Sequence, residues 1–198
     1  MPRPKQRTPE LRDRVLQAAV AMLADEGVAG LTTRRVAHDA GTSIPAVYEL
    51  FGDKAGLVRE IYFEGFRSLL GRFDAVPVTD DPAEDLVAVA GVFRSFVRAN
   101  PVLSSVMFAR PFADFDPGPD ELRASGSVRE FFVSRVRRGI ESGVLAGDPT
   151  DIAHVLLALG QGLAAQESAG WLGRSAASRN RRWTLAYRTL LAGLRPDR

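Results

Sequence analysis

Apolar residues recur along this chain at intervals of three and four, and no convincing alternation of apolar and polar positions appears. In "PELRDRVLQAAVAMLADEG" the residues Leu11, Val15, Ala18, Ala19, Met22 and Leu23 share one helical face. Thr8 is placed to cap that helix, Pro9 suits its first position, and Gly27 is its expected stop. A second long amphipathic run, "KAGLVREIYFEGFRSLLGRF", sets Leu57, Ile61, Phe66, Leu69 and Phe73 on one side. Breaks at "PVTDDP", Asn100-Pro101, "ADFDPGPD" and Asp148-Pro149 mark off four further helical segments, and "SAASRNRRWTLAYRTLLAGL", ending at Leu194, makes a fifth. About nine helices follow, and the fold class is all-α.

Between the two long runs lies "TTRRVAHDAGTSIPAVYELFGDK", residues 32 to 54, which reads as two short helices split at Gly41. Helices of two turns are marginal alone, so these need tertiary support. Thr32 or Thr33 can cap the first, and Ser43 the second, with Pro45 in its first turn where a missing N–H costs little. Ala37, Gly41 and Val47 stand at relative positions 0, +4 and +10, the helix-turn-helix spacing of close contact, tight turn and aliphatic anchor. An ordinary helical corner fits that spacing equally well.

Composition narrows the function classes. With 198 residues, 45% hydrophobic and 25% charged, the chain can bury a core and is not of disordered composition. There is no cysteine, which removes disulfides, thiolate metal sites and cysteine nucleophiles. The two histidines, His38 and His154, join no Ser/His/Asp grouping, nucleotide loop or metal motif. No enzyme, metal or cofactor is expected. Without an apolar leader or a run of about 18 apolar residues, a cytoplasmic protein with no membrane partner is expected. The net charge of +2 is uninformative, but Arg3, Lys5 and Arg7 form an acid-free arm able to lie on phosphate or to stay disordered.

The stretch "GLTTRRVAHDAGTSIPAVYELFGDKAGL", preceded by an amphipathic helix, resembles the N-terminal domain of the tetracycline-repressor (TetR) family of bacterial transcription regulators. The resemblance rests on Val36-Ala37 after a threonine cap, Ala40-Gly41-Thr42-Ser43, the run Val47-Tyr48-Glu49-Leu50-Phe51, and Lys54. It implies a helix-turn-helix DNA-binding domain over 1–55, with 1–8 a flexible basic arm, and a helical ligand-binding and dimerisation domain over 56–198. Thr42 replaces the family's usual apolar residue, and Glu49 stands where an aromatic, histidine or neutral residue is usual. A carboxylate there repels phosphate; it can accept from a cytosine amino group or pair with a nearby arginine.

The resemblance puts the second short helix, with Ser43, Ile44, Pro45, Ala46, Tyr48 and Glu49, in the major groove of double-stranded DNA. Thr32, Thr33, Arg34 and Lys54 are then backbone-positioning residues. It also implies a homodimer through the last two helices, with Leu156, Leu159, Leu163, Trp183, Tyr187 and Leu190 as interface candidates, although plain intramolecular core explains those stripes as well. A small, largely apolar effector is implied, with Phe66, Phe93, Phe96, Met107, Phe108, Phe112, Phe131 and Gln161 as pocket candidates against the alternative of ordinary core or surface positions. Repressor is the family default. The rival is a helical carrier of apolar ligands, or a protein-interaction module without specific DNA binding.

Overall fold

The computed structural model describes residues 8–108 and 118–196. Among the described residues the chain forms nine α-helices and no strand: α1 Pro9–Gly30, α2 Thr33–Asp39, α3 Ile44–Phe51, α4 Lys54–Asp74, α5 Pro82–Ala99, α6 Pro101–Phe108, α7 Pro119–Glu141, α8 Pro149–Ser168 and α9 Ala176–Gly193. Their order and number follow the periodicity and the proline and glycine breaks. Asp148 caps α8 by accepting from the amides of Thr150 and Asp151, and Ser175 caps α9 by accepting from Ser178.

One boundary differs from expectation. Gly27 does interrupt α1, with φ 70° and ψ −176°, but helical geometry resumes and the element runs on to Gly30. A single glycine outside the helical region kinks the axis there and does not end the element, because the residues beyond it can still form another turn.

The chain packs as two compact units. Among the described residues, the first comprises 8–66 together with 100–108 and 118–121, and the second 67–99 with 122–196. The residues of α4 up to Phe66 pack with the first unit, and those from Arg67 on with the second. Val58, Ile61 and Tyr62 of α4 are buried, so this helix continues to supply core past its second turn. In the first unit α1 packs on both α2 and α6, around Val15, Leu23, Leu31, Val36, Leu57 and Val106.

In the second unit α5 packs against α8 and α9. Phe73 stacks on Phe131 at 5.1 Å and meets Phe132 edge-on at 5.6 Å, a pairing that adds to area burial alone. The loop before α5 is held by a buried carboxylate. Asp85 accepts from the Thr79 amide at 3.0 Å and the Thr79 hydroxyl at 2.7 Å, and pairs with Arg138 of α7 at 2.7 Å. Burial alone would raise the Asp85 pKa, but these hydrogen bonds and the Arg138 charge outweigh it and hold the group below its ordinary value.

Candidate nucleic-acid interface

The first unit builds its reading face from two capped helices and a tight turn. Thr32, not Thr33, is the cap of α2: its hydroxyl accepts from the Arg35 amide at 3.4 Å. Gly41 follows the end of α2 with φ +64°, a left-handed conformation that a β-carbon penalises. The amide of Thr42 then donates to the Ala37 carbonyl at 2.8 Å, closing the turn. Ser43 opens α3, its hydroxyl accepting from the Ala46 amide at 3.3 Å, and Pro45 sits in the first turn. The Ser43 hydroxyl hydrogen remains available to donate outward.

Val47 and Phe51 are the inward residues of α3. One turn of helix geometry then fixes the rest: Pro45 and Glu49 lie opposite them, with Ala46 and Tyr48 flanking. Ser43, Pro45, Tyr48 and Glu49 are exposed, while Ile44 and Ala46 are half-buried. Thr32, Arg34 and Lys54 are also exposed, and Thr33 is half-buried. Most of the expected DNA-contacting residues are therefore open to solvent, and Thr33, Ile44 and Ala46 are partly so. Arg3, Lys5 and Arg7 lie outside the described residues.

Four contacts that sequence reasoning missed hold α1, the two short helices and the start of α4 in place. Arg35 of α2 grips both carboxylate oxygens of Glu26 on α1, and its hydrogen bond lowers the Glu26 pKa. Arg12 of α1 pairs with Glu60 of α4 at 2.6 Å, and its guanidinium lies 5.3 Å from the Phe51 ring centre in α3. The Asp53 carboxylate accepts from the Gly56 amide at 2.7 Å. With that last bond a negative side chain occupies one amide of the α4 N-terminus. The "D-K-A-G" spacing was the available signal for this cap; nothing local in the sequence foretells the long-range pairs.

Of the pocket candidates, Phe66, Met107 and Phe108 belong to the first unit, where Phe66 lies 4.8 Å from Tyr62 and 5.7 Å from Phe108. Phe93, Phe96 and Phe131 belong to the second unit; the first two are buried and Phe131 is half-buried. Gln161 is exposed on α8, which places it on the surface, the alternative given for it above. Phe112 lies outside the described residues.

The interface candidates divide by helix face. Leu156, Trp183 and Tyr187 are buried within their own chain, and the Tyr187 hydroxyl donates to the Leu156 carbonyl at 2.9 Å. Their apolar area is already covered, which corrects the expectation that they face a second copy. Burial pushes the Tyr187 phenol pKa well up. Leu159, Leu163 and Leu190 are half-buried, while Val155 is 49% and Leu185 66% exposed. Among the described residues no single helix is long and apolar enough to cross a membrane, and no three histidine, aspartate or glutamate side chains come together as a metal site would require.

The family models match both parts of the chain. Residues 15–61 match the model of bacterial regulatory proteins of the tetR family, and residues 86–190 match the tetracyclin repressor-like C-terminal domain. The HTH-type transcriptional regulator Rv1816 of Mycobacterium tuberculosis is 24% identical over 142 residues, which cover 70% of this chain and 59% of that protein. The chain thus spans less than two thirds of the curated relatives it first matches. The HTH-type transcriptional repressor KstR2 of Mycolicibacterium smegmatis is 31% identical over 88 residues, 44% of this chain and 42% of that one. A solved structure of a protein of unknown function from Rhodococcus sp. RHA1 superposes with a TM-score of 0.85 at 25% identity, covering 98% of this chain and all of the other. The capped helix pair around Gly41 and the two family models agree: the chain belongs to the TetR family of bacterial regulatory proteins, which are transcription regulators and not enzymes.

Proposed function

We propose that this protein is a cytoplasmic transcriptional repressor that binds a near-palindromic operator as a homodimer and is released by a small, largely apolar effector. The observation that carries this reading is the outward face of α3. It presents Ser43, Pro45, Tyr48 and Glu49 to solvent, with Ala46 half-buried beside them, from a helix fixed by Val47, Phe51 and the Gly41 turn. A helix held in this way can enter a major groove with its first turns against base edges. Ser43 can donate to a base or phosphate, Ala46 can meet a thymine methyl, and Tyr48, Arg34, Thr33 and Lys54 can fix the backbone. KstR2, a partial relative, is described as a repressor, which favours repression over activation.

A single head of this size reads few base pairs, so two copies are required for specificity, with half-sites about 34–36 Å apart. The exposed stripe of α8 and α9, with Val155, Leu159, Leu163 and Leu185, supports dimerisation through those helices. Ala158 and Gly162 on the same side of α8 would let a second helix approach closely. The amino-terminal part, 1–55, would then read DNA and the remainder, 56–198, would dimerise and bind effector. α4 belongs to both units as one continuous helix. An effector that prefers an arrangement with the two heads wrongly spaced lowers DNA affinity by that preference.

Footprinting of the purified protein on its genomic DNA tests this. Protection of a palindrome, weakening steeply with salt, is expected. A folded dimer that protects no site on any genomic fragment would overturn the regulator reading.

A further inference from the structure

Between Asp151 and Glu167, α8 carries no aspartate, glutamate, lysine or arginine. A helix that is apolar all round belongs in an interior. One side of α8 does enter the core of the second unit, through Ile152, Leu156 and Ala164. The opposite side does not. Val155, Ala158, Gly162, Ala165 and Ala169 follow one another at steps of three and four, and all five are exposed.

Trp171 stands at the end of that side. The Gly170 amide donates to the Glu167 carbonyl at 3.1 Å and the Trp171 amide to the Gln166 carbonyl at 2.9 Å, with Gly170 at φ +77°. In this kind of cap the second residue past the helix lays an apolar side chain back on the last turns. Here that residue is a tryptophan, and the turns behind it offer only Ala165 and Gln166. It keeps 78% of its surface exposed, and no large apolar side chain among the described residues is more open.

The order of side-chain sizes along this side suits a second copy of α8 running antiparallel. A two-fold contact is self-complementary. With the axis midway between Ala158 and Gly162, Ala165 faces the partner's Val155 and Ala169 faces the partner's Asp151. Small residues at the axis let the two backbones come close. At Trp171, about 16 Å along the helix from the axis, a crossing of about 20° displaces the helices sideways by about 6 Å. An alanine does not bridge that space, and an indole does. Charge favours the same direction. Asp151 lies at one end of the side and Arg174 just beyond the other, both exposed. Antiparallel pairing sets these opposite charges together, and parallel pairing sets like charges together.

We propose that Trp171 anchors the contact between two copies of the chain: α8 packs antiparallel on the partner's α8 with Ala158 and Gly162 at the axis, and each Trp171 covers the first turn of the partner's helix at Pro149. This rests on the homodimer reading above and adds to it a direction, a register and an anchoring residue.

The chain has no cysteine, so introduced thiols report without background. Positions 151 and 169 lie about 27 Å apart along one helix, beyond the reach of a short bismaleimide. The double variant Asp151→Cys with Ala169→Cys should therefore cross-link between copies, and neither single variant should. Cross-linking by a single variant, or none by the double, would overturn the antiparallel register. In sedimentation equilibrium Trp171→Ala should raise the dimer dissociation constant at least tenfold, as truncating a tryptophan anchor does, and Trp171→Phe should raise it less. Circular dichroism should show both variants folded as the parent is. A Trp171→Ala dimer as tight as the parent overturns the anchor and leaves the homodimer standing. A parent chain that is monomeric at micromolar concentration overturns both.

Discussion

A β-carbon on Gly56 would lie 1.9 Å from the carbonyl oxygen of Phe51, so the end of α3 and the first turn of α4 are in closer contact than any other residue permits. Gly56 also donates its amide to Asp53, which fixes the same turn from the other side. Gly56→Ala should therefore force the α3–α4 corner apart at a cost of about 1–3 kcal/mol, the range for overpacking a tight site. Urea unfolding measures it. Gly41→Ala is a different case, since nothing lies within 4 Å of its missing β-carbon and only the positive φ is penalised. It should cost about 1–2 kcal/mol. DNA affinity should fall further for Gly56→Ala than its stability loss explains, because the corner aims α3. Parent-like unfolding of Gly56→Ala would show that the turn relaxes freely and does not aim the helix.

Substitutions on the reading face should separate positioning from specificity. Lys54→Ala removes a cation beside the α4 N-terminus, and Tyr48→Phe removes an exposed hydroxyl from α3. Both should weaken binding to operator and random DNA alike, and Lys54→Ala should reduce the slope of log affinity against log salt by about 1. Ala46 substitutions should instead alter which bases are preferred. Electrophoretic mobility shifts on a randomised operator library compare the two patterns. An unchanged base preference in Ala46→Ser and Ala46→Val would remove that residue from the reading surface.

Asp85 predicts an acid limb in stability. Its pKa is lower folded than unfolded, so its contribution is complete above the unfolded carboxylate value, about 3.9, and is lost as the pH falls through the lower folded value. Thermal melting between pH 7 and pH 3 should fall more steeply in the parent than in Asp85→Asn, which has no proton to take up there. At pH 7, Asp85→Ala should cost about 2–3 kcal/mol. That is below the cost of breaking a wholly buried pair because Arg138 keeps 35% of its side chain exposed. Parallel melting curves for parent and Asp85→Asn would show that Asp85 is not a source of the acid limb.

These residues also mark what was legible in the sequence and what was not. A threonine cap at Thr32 or Thr33, the cap at Ser43 and the turn at Gly41 were legible because each depends on chemistry within four residues. The Gly56 contact was not, since a close approach to Phe51 depends on how two helices meet. Pairs such as Arg12–Glu60 or Arg138–Asp85 join residues 48 and 53 positions apart, which periodicity cannot register. The placement of α6 with the first helices is equally non-local. On α8 the difficulty was different. Leu156, Leu159 and Leu163 read as one apolar stripe, yet Leu156 is buried and the other two are half-buried. A helix that is apolar on two sides does not reveal from its own sequence which side faces its core.

That division of α8 and α9 yields a test in which core and interface residues respond oppositely. Leu156 is fully buried, and Leu156→Ala should cost about 2–5 kcal/mol of folding stability whatever the protein concentration. Tyr187→Phe should cost about 1 kcal/mol through the lost hydrogen bond to Leu156. Neither should change the oligomeric state while the chain is folded. Val155 and Leu185 are exposed, so Val155→Glu with Leu185→Glu should leave the intrinsic stability of one chain nearly unchanged. The double variant should instead abolish association, since two carboxylates would have to be desolvated without partners at the contact. Sedimentation velocity at micromolar concentration reads the association, and circular dichroism reads the fold. DNA binding should collapse with dimerisation, because one head alone lacks the contacts for a stable site. If the double variant remains a dimer, association uses a surface other than the outer faces of α8 and α9.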